Sequence, residues 1–381
     1  MMYSRFALVP LALLALAPAC SSSNSAAGGS INFTVSGEVL ALGGYDFPPA
    51  SGNDVAFVDG WEVKFSEVLV TVDKIRLSEN PDLDPGDESK TGALVAEVDG
   101  PWAIDLHKGG PLQGKGGSDE QALQIASLDN QNLNGGQPFA ADARYAFGFD
   151  VVAATNSASQ LNLDDQGKTD YATMVQQGYT VLFVGTATFK GTTCTPADPE
   201  FDKIPKVVKF RLGFKTPATF INCQNPDLDP AKPLGDEEHE RGVIIKSNQA
   251  VVAQLTIHTD HAFWEALKHD SPAHFDQIAA QGTGQQGTPT VTLEDLAGVD
   301  PTAITDKQKN PVPWRTCTSF YTPPSTGQMS FNTEGVTLDP SGDPSQVLRD
   351  LYDYVTYSTS SAGHLNSDGL CAVQRHYPSP K

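Results

Sequence analysis

The sequence predicts a mainly β protein, an antiparallel β-sandwich with a small helical, loop-rich C-terminal cap. Three observations carry this. Many short runs alternate apolar with polar or small residues, the period of a half-buried strand. Clusters of Gly, Pro, Asn and Asp punctuate those runs, as they do in sandwiches and barrels. Long helical periodicity is missing up to His258, which disfavours a parallel α/β sheet, because its strands need crossover helices.

In order, Ile31, Phe33, Val35 and Val39 alternate first. Trp61, Val63 and Phe65 follow, and then the phase flips to Val68, Val70 and Val72. A flip of that kind predicts a bulge or a short break, since one extra residue turns every later side chain to the other face. The stretch at 107–142, rich in Gly, Gln and Asn, reads as a long surface excursion with one short helix. Tyr145, Phe147, Phe149 and Val151 alternate cleanly, and 179–189, 207–214, 243–245 and 251–258 read as further strands. After His258 the pattern turns helical: Asp260 is placed to cap a helix beginning at His261, with Phe263, Trp264 and Leu267 on its apolar side. These elements divide the chain into a signal peptide at 1–19, a lipidated cysteine and flexible tether at 20–30, a sandwich body at 31–282 and a cap at 283–381.

The chain opens with Arg5, an apolar run from Phe6 to Leu16, and then Ala17, Pro18, Ala19 and Cys20. The run has signal-peptide length and is too short to span a bilayer. The stretch resembles the bacterial lipobox, departing from it at Ala17, where Leu is usual, and at Pro18. That resemblance implies cleavage before Cys20 and lipid on its thiol; ordinary secretory cleavage after Ala19 is the competing reading. The Ser/Gly/Ala stretch behind Cys20 cannot bury enough apolar area to fold. The expected location is the cell envelope, as an outer-membrane lipoprotein held through its lipid anchor, with an envelope or extracellular partner that the residues do not specify.

Acidic residues outnumber basic ones 46 to 25, a formal charge of −21. Such a surface repels phosphate backbones and anionic lipid, so nucleic acid is excluded as a partner and cations are favoured. Four cysteines lie beyond Cys20: Cys194, Cys223, Cys317 and Cys371. In an oxidising compartment they predict two disulfides. Of the three pairings, Cys194–Cys223 with Cys317–Cys371 closes one local region per bridge and is the expected one.

The densest chemical signal is His258-Thr-Asp-His261, with Glu265, His269 and His274 following. A strand end and the first turn of a helix would bring His258 and His261 together, with Glu265 and then His269 along the same helical face. His364, in a glycine-flanked loop, is the remote candidate. His258, His261, Glu265 and His364 are thus the expected ligands of Zn or Cu. The bland alternative is a capped helix start with half-exposed histidines. A six-residue string, NPDLDP, occurs at Asn80 and again at Asn225. Its carboxylates Asp82, Asp84, Asp227 and Asp229 are candidate calcium ligands, or simply two acidic turns.

HTDHAFW and SPAHFDQIAA, with YTVLFVGTATF and GHLNSDGLC, resemble a group of uncharacterised Gram-negative surface lipoproteins. Trp61 to Leu77 more weakly resembles β-sandwich lipoprotein domains of unknown function and periplasmic copper-binding sandwich proteins. These likenesses imply export and a β-rich body but no activity. With no nucleophile elbow and no phosphate loop, the sequence leans away from an enzyme, towards a non-enzymatic, metal-binding surface protein. The alternatives are a metal-dependent hydrolase at the His258/His261 corner with Glu265 as base, and a structural envelope lipoprotein.

Overall fold

The computed structural model describes residues 28–50, 56–232, 238–269, 271–323 and 329–381. The expected signal peptide, Cys20 and most of the expected tether lie outside the described residues. The last tether residues already belong to the body: Gly29 lies against the Lys246 carbonyl with no room for a side chain, and the Ser30 amide donates to Gln249 O at 2.9 Å.

The first alternating run forms the Ser30–Ser36 strand, with Ile31, Phe33 and Val35 buried. It pairs antiparallel with Gln121–Leu128 on one side and parallel with Ala250–Ile257 on the other. Gly363–Leu365, Gly369–Leu370 and Leu112–Gln113 complete this six-stranded sheet. Gln121–Leu128 lies in the segment expected to be loop and helix. Pairing with Ser30–Ser36 satisfies its backbone and outweighs a weak helical preference.

The second sheet is built on the 18-residue strand Trp61–Ser78. The phase flip is a bulge within one continuous strand: the register against Val181–Phe189 shifts between Phe65 and Glu67. Trp61, Val63, Phe65, Val68, Val70 and Val72 can therefore all be buried. From one edge the path runs Thr290–Thr292, Val207–Phe214, Val181–Phe189, Trp61–Ser78, Arg144–Val151, Ala218–Ile221 and Ala372–Arg375. The two sheets face each other and do not close into a barrel; Phe33 of one lies 6.1 Å from Phe147 of the other. The sandwich is mainly antiparallel, with parallel pairs at Ser30–Ser36/Ala250–Ile257, Trp102–Asp105/Ser159–Gln160 and Val207–Phe214/Thr290–Thr292.

Two helices in this half were not expected: Glu38–Gly43 follows the first strand and takes Val39, expected within that strand, to the surface, and Asp165–Gln177 comes later. Asp165–Gln177 is capped by Asp164, whose carboxylate accepts from the Gly167 amide at 2.8 Å. Tyr171 and Met174 pack with Leu163 over Leu69 and Leu182, covering a second apolar patch on the long strand. The C-terminal segment supplies the expected helical cap, Leu351–Thr359, started by Asp350 accepting from the Asp353 amide at 3.0 Å. Its later strands also extend both sheets. One apolar core runs from Ile31 through Phe210, Phe275, Trp314 and Tyr354 to Leu365.

Both disulfides form, with pairings that differ from the expected ones. Cys194 joins Cys317 and Cys223 joins Cys371, across 123 and 148 residues. Sheet register decides the second: Ile221 pairs with Ala372, so Cys223 and Cys371 arrive together at the strand end. The first is set by the Thr195–Thr316 bridge, whose two backbone bonds of 2.8 and 2.9 Å bring Cys194 beside Cys317. Sequence proximity could not report either contact.

Candidate metal centre

Ala250–Ile257 ends at the rim of the six-stranded sheet, where the His258 amide donates to Ala362 O at 2.9 Å. Thr256 is paired with His364 on the neighbouring strand, so the His258 and His364 rings stack at 4.1 Å. The chain then makes a single 3₁₀ turn, Asp260–Phe263, which carries His261 to within 5.3 Å of the His364 ring. It continues extended through Trp264 and returns at His269, 5.3 Å from His364. One ring nitrogen from each of His258, His261, His269 and His364 lies within 4.8 Å of the others. Tetrahedral coordination at about 2.0–2.1 Å needs nitrogens roughly 3.3 Å apart, so modest ring rotations close the set. The corner is able to chelate a metal ion.

The polar accounting supports that reading. His258, His261 and His364 are buried. His261 Nδ1 is bonded to Ser361 Oγ at 3.0 Å, but its Nε2 meets no hydrogen-bond partner, nor does either nitrogen of His364. A buried polar atom left unpaired costs about 1–3 kcal/mol, and here several point at one place. Burial, and then the neighbouring imidazoles, hold His261 and His364 well below the ordinary imidazole range. They are neutral, the form that ligates.

His258 differs. Burial opposes its charged form, but the carboxylates of Glu38, Asp260 and Asp368 outweigh that and raise it. Its Nε2 sits 3.2 Å from Ser367 O, 3.6 Å from Glu38 Oε1 and 3.9 Å from Asp368 Oδ1. Ser367 Oγ donates to Glu38 Oε1 at 2.6 Å and holds it there. With Nε2 so engaged, Nδ1 is the atom left for the histidine cluster, the arrangement by which carboxylates orient metal-bound imidazoles. Glu38, Asn366 and Ser367 all have positive φ, 58°, 50° and 75°. Such strain collects where surrounding structure enforces a special geometry.

His258, His261 and His364 therefore converge as expected. Glu265 does not join them, because one 3₁₀ turn replaces the helix that would have aligned His261 with Glu265. Its carboxylate instead accepts from Tyr321 OH at 2.5 Å and pairs with His274 Nε2 at 2.8 Å. His269 takes the fourth place, reached by chain return. Asp260 is not a cap: it is the first residue of the turn, and its Oδ2 accepts from Trp264 Nε1 at 3.2 Å. Glu38 and Asp368 were missed; the only hint was Asp368 in the same glycine-flanked loop as His364. The calcium candidates do not converge among the described residues. Asp82 is paired with Arg144, and Asp227 with Lys115 at 2.6 Å, while Asp84 accepts from the Gly86 amide within its own turn.

Two cavities flank the corner. A wider one of about 690 Å³ reaches Glu38 and Asp368, and a narrower one of about 410 Å³ is walled by His261, His269 and Trp264. Comparison with family models, curated proteins and solved structures finds no match to this chain. The leaning away from an enzyme rested on the lack of a recognisable catalytic set. Four converging imidazoles with carboxylates behind one of them form such a set and overturn it.

Proposed function

We propose that the protein is a metal-dependent hydrolase whose centre is the four-histidine corner. The observation that carries this is the convergence of four ring nitrogens within 4.8 Å beside a cavity able to hold a small substrate. Imidazole sets suit Zn²⁺ and Cu²⁺. His258, His261 and His364 are the buried anchors, and His269, less buried, is the ring at the cavity wall. Four imidazoles would fill a tetrahedral set, so chemistry would need one position freed or a fifth added; there a bound ion would supply Lewis-acid polarisation of an ester or phosphoester and lower the pKa of water towards about 7. Glu38 and Asp368 keep the His258 ring oriented, Ser367 O holds its Nε2 proton, and Trp264 shields His261 from water, their rings 3.7 Å apart. Glu265, bound to Tyr321 and His274, takes no part.

Protein purified without chelator is expected to carry Zn or Cu and to turn over members of an ester, phosphoester and peptide panel. Activity should vanish with chelator, return with metal, and be lost with the metal in a His258→Ala, His364→Ala variant. Metal-free protein, or turnover that survives chelation, overturns the reading.

We infer envelope attachment separately, through lipid on Cys20. The support is Cys20 itself, preceded by an apolar run and small residues and followed by a Ser/Gly/Ala stretch; no helix among the described residues is long and apolar enough to cross a membrane. Mass spectrometry of the mature N-terminus should find a diacylated or triacylated Cys20; an unmodified thiol counts against it.

A further inference from the structure

The two cavities beside the corner differ in charge. The wider is lined by five carboxylates and two lysines, and one of those lysines, Lys115, is already paired with Asp227 at 2.6 Å. It meets the histidines only behind His258, through Glu38 and Asp368. The narrower cavity is bordered by two of the four histidines themselves, His261 and His269. Its charged lining residues are Glu88 and Arg375. Glu88 is neutralised by Arg241, Nη2 to Oε2 at 2.9 Å. Among the described residues no carboxylate pairs with Arg375. Its guanidinium lies over the Tyr357 ring at 3.9 Å, and its Nε donates to Ser360 Oγ at 2.6 Å.

A cation fixed this way is pre-organised. The stack on Tyr357 and the bond from Nε set the plane of the guanidinium; the Tyr377 hydroxyl also meets it, and the remaining N–H groups of the fork are available to a ligand. Ala372–Arg375 is an edge strand held by pairing with Ala218–Ile221 and by the Cys223–Cys371 bridge. Planar forks of this kind bind carboxylate and phosphate oxygens in pairs. In a chain of charge −21, an uncompensated arginine beside metal-ligand candidates is a selective feature. Trp264 and Leu267 add an apolar wall.

Resting on the hydrolase reading, we propose that the narrower cavity is the substrate site and takes a small anionic ester. Its carboxylate or phosphoryl anion would sit on Arg375, and its apolar group against Trp264 and Leu267. The wider, acidic cavity repels such a molecule.

The test uses calorimetric binding of phenylphosphonate, phenylacetate and the neutral benzyl alcohol to the whole mature chain, with metal content measured in parallel. Wild-type protein should bind at least one anion more tightly than benzyl alcohol, and the tighter anion identifies the group recognised. In Arg375→Gln that anion should bind roughly tenfold or more weakly, with benzyl alcohol unchanged and metal stoichiometry intact. Arg375→Lys should fall between them, because it keeps the charge and loses the fork, and it serves if the Gln variant does not fold. Metal-loaded protein whose anion affinity is the same in all three forms overturns this proposal alone. Protein that never holds metal overturns the hydrolase reading instead.

Discussion

Two buried clusters of histidine and carboxylate lie close together in this fold, and they are built on opposite principles. The first surrounds His274. Asp276 receives Arg315 Nε at 2.7 Å, Arg315 Nη2 at 2.6 Å and Trp61 Nε1 at 2.8 Å. Asp59 Oδ2 accepts from the Phe275 and Asp276 amides at 2.7 and 2.8 Å. Glu265 joins His274 to Tyr321, and Trp314 Nε1 donates to Tyr321 at 2.7 Å. Asp59 Oδ1 and His274 Nδ1 are the atoms left over. The second cluster, around His364, is the reverse: imidazoles face imidazoles, and His261 Nε2 and both His364 nitrogens meet no hydrogen-bond partner. A network that satisfies itself specifies a fold. One that does not is built for something that arrives from outside.

That contrast predicts different responses to mutation. Asp276→Ala strands the buried Arg315 and should destabilise by about 3–5 kcal/mol, read by denaturant unfolding; a loss under 1 kcal/mol would dissolve the distinction. The disulfides separate the clusters next, because Cys317 lies two residues from Arg315 while Cys371 borders the narrower cavity. Removing Cys223–Cys371 as a double serine variant should cost about 2–4 kcal/mol and weaken metal retention. Removing Cys194–Cys317 should cost a similar amount and leave metal retention alone.

A smaller effect depends on pH. Burial, then the nearby Asp276 carboxylate, push Asp59 up to about 7 against the pull of His274 and Arg315. Between its unfolded value, 3.8, and about 7, the native state holds a proton that the unfolded state has released. This contribution to stability is complete below the unfolded value and is lost as pH rises through the folded one. Asp59→Asn should therefore gain in melting temperature relative to wild type between pH 4 and pH 8, by about 2–4 °C. A constant difference across that range would show that Asp59 is not the group titrating.

The smallest expected change is the most telling. His364→Leu in metal-free protein replaces two unpaired buried nitrogens with apolar atoms of similar bulk, so stability should hold within about 1 kcal/mol or rise. The same variant should lose its bound metal and its metal-induced rise in melting temperature. A large loss of stability without metal would mean that His364 is structural, as His274 is.

Much of the architecture was legible because strand alternation is a local signal. The bulge in Trp61–Ser78 could be placed to within a residue or two from its phase flip. His258, His261 and His364 were legible as a corner because a strand end and a glycine-flanked loop favour convergence. The failures were non-local or turned on a single backbone choice. Glu265 was misplaced because 3₁₀ and α turns share their first residues and diverge only at Trp264. The Asp165–Gln177 helix was hidden by a sparse apolar face, Leu163, Tyr171 and Met174, that looks like loop until it meets Leu69 and Leu182. The cysteine partners were set by sheet register and chain return, which no local spacing encodes.

Ser30–Ser36 lies between Gln121–Leu128 and Ala250–Ile257, and beyond these comes Gly363–Leu365. Ser30–Ser36 thus waits for partners 88 and more residues away, and the histidine strand waits for Gly363–Leu365. Contacts of such long range are made late and slowly. The histidine corner consequently depends on a distant pairing: His364 reaches it only once Gly363–Leu365 has paired with Ala250–Ile257, and a chain truncated before Gly363 lacks both that strand and a candidate ligand of the site.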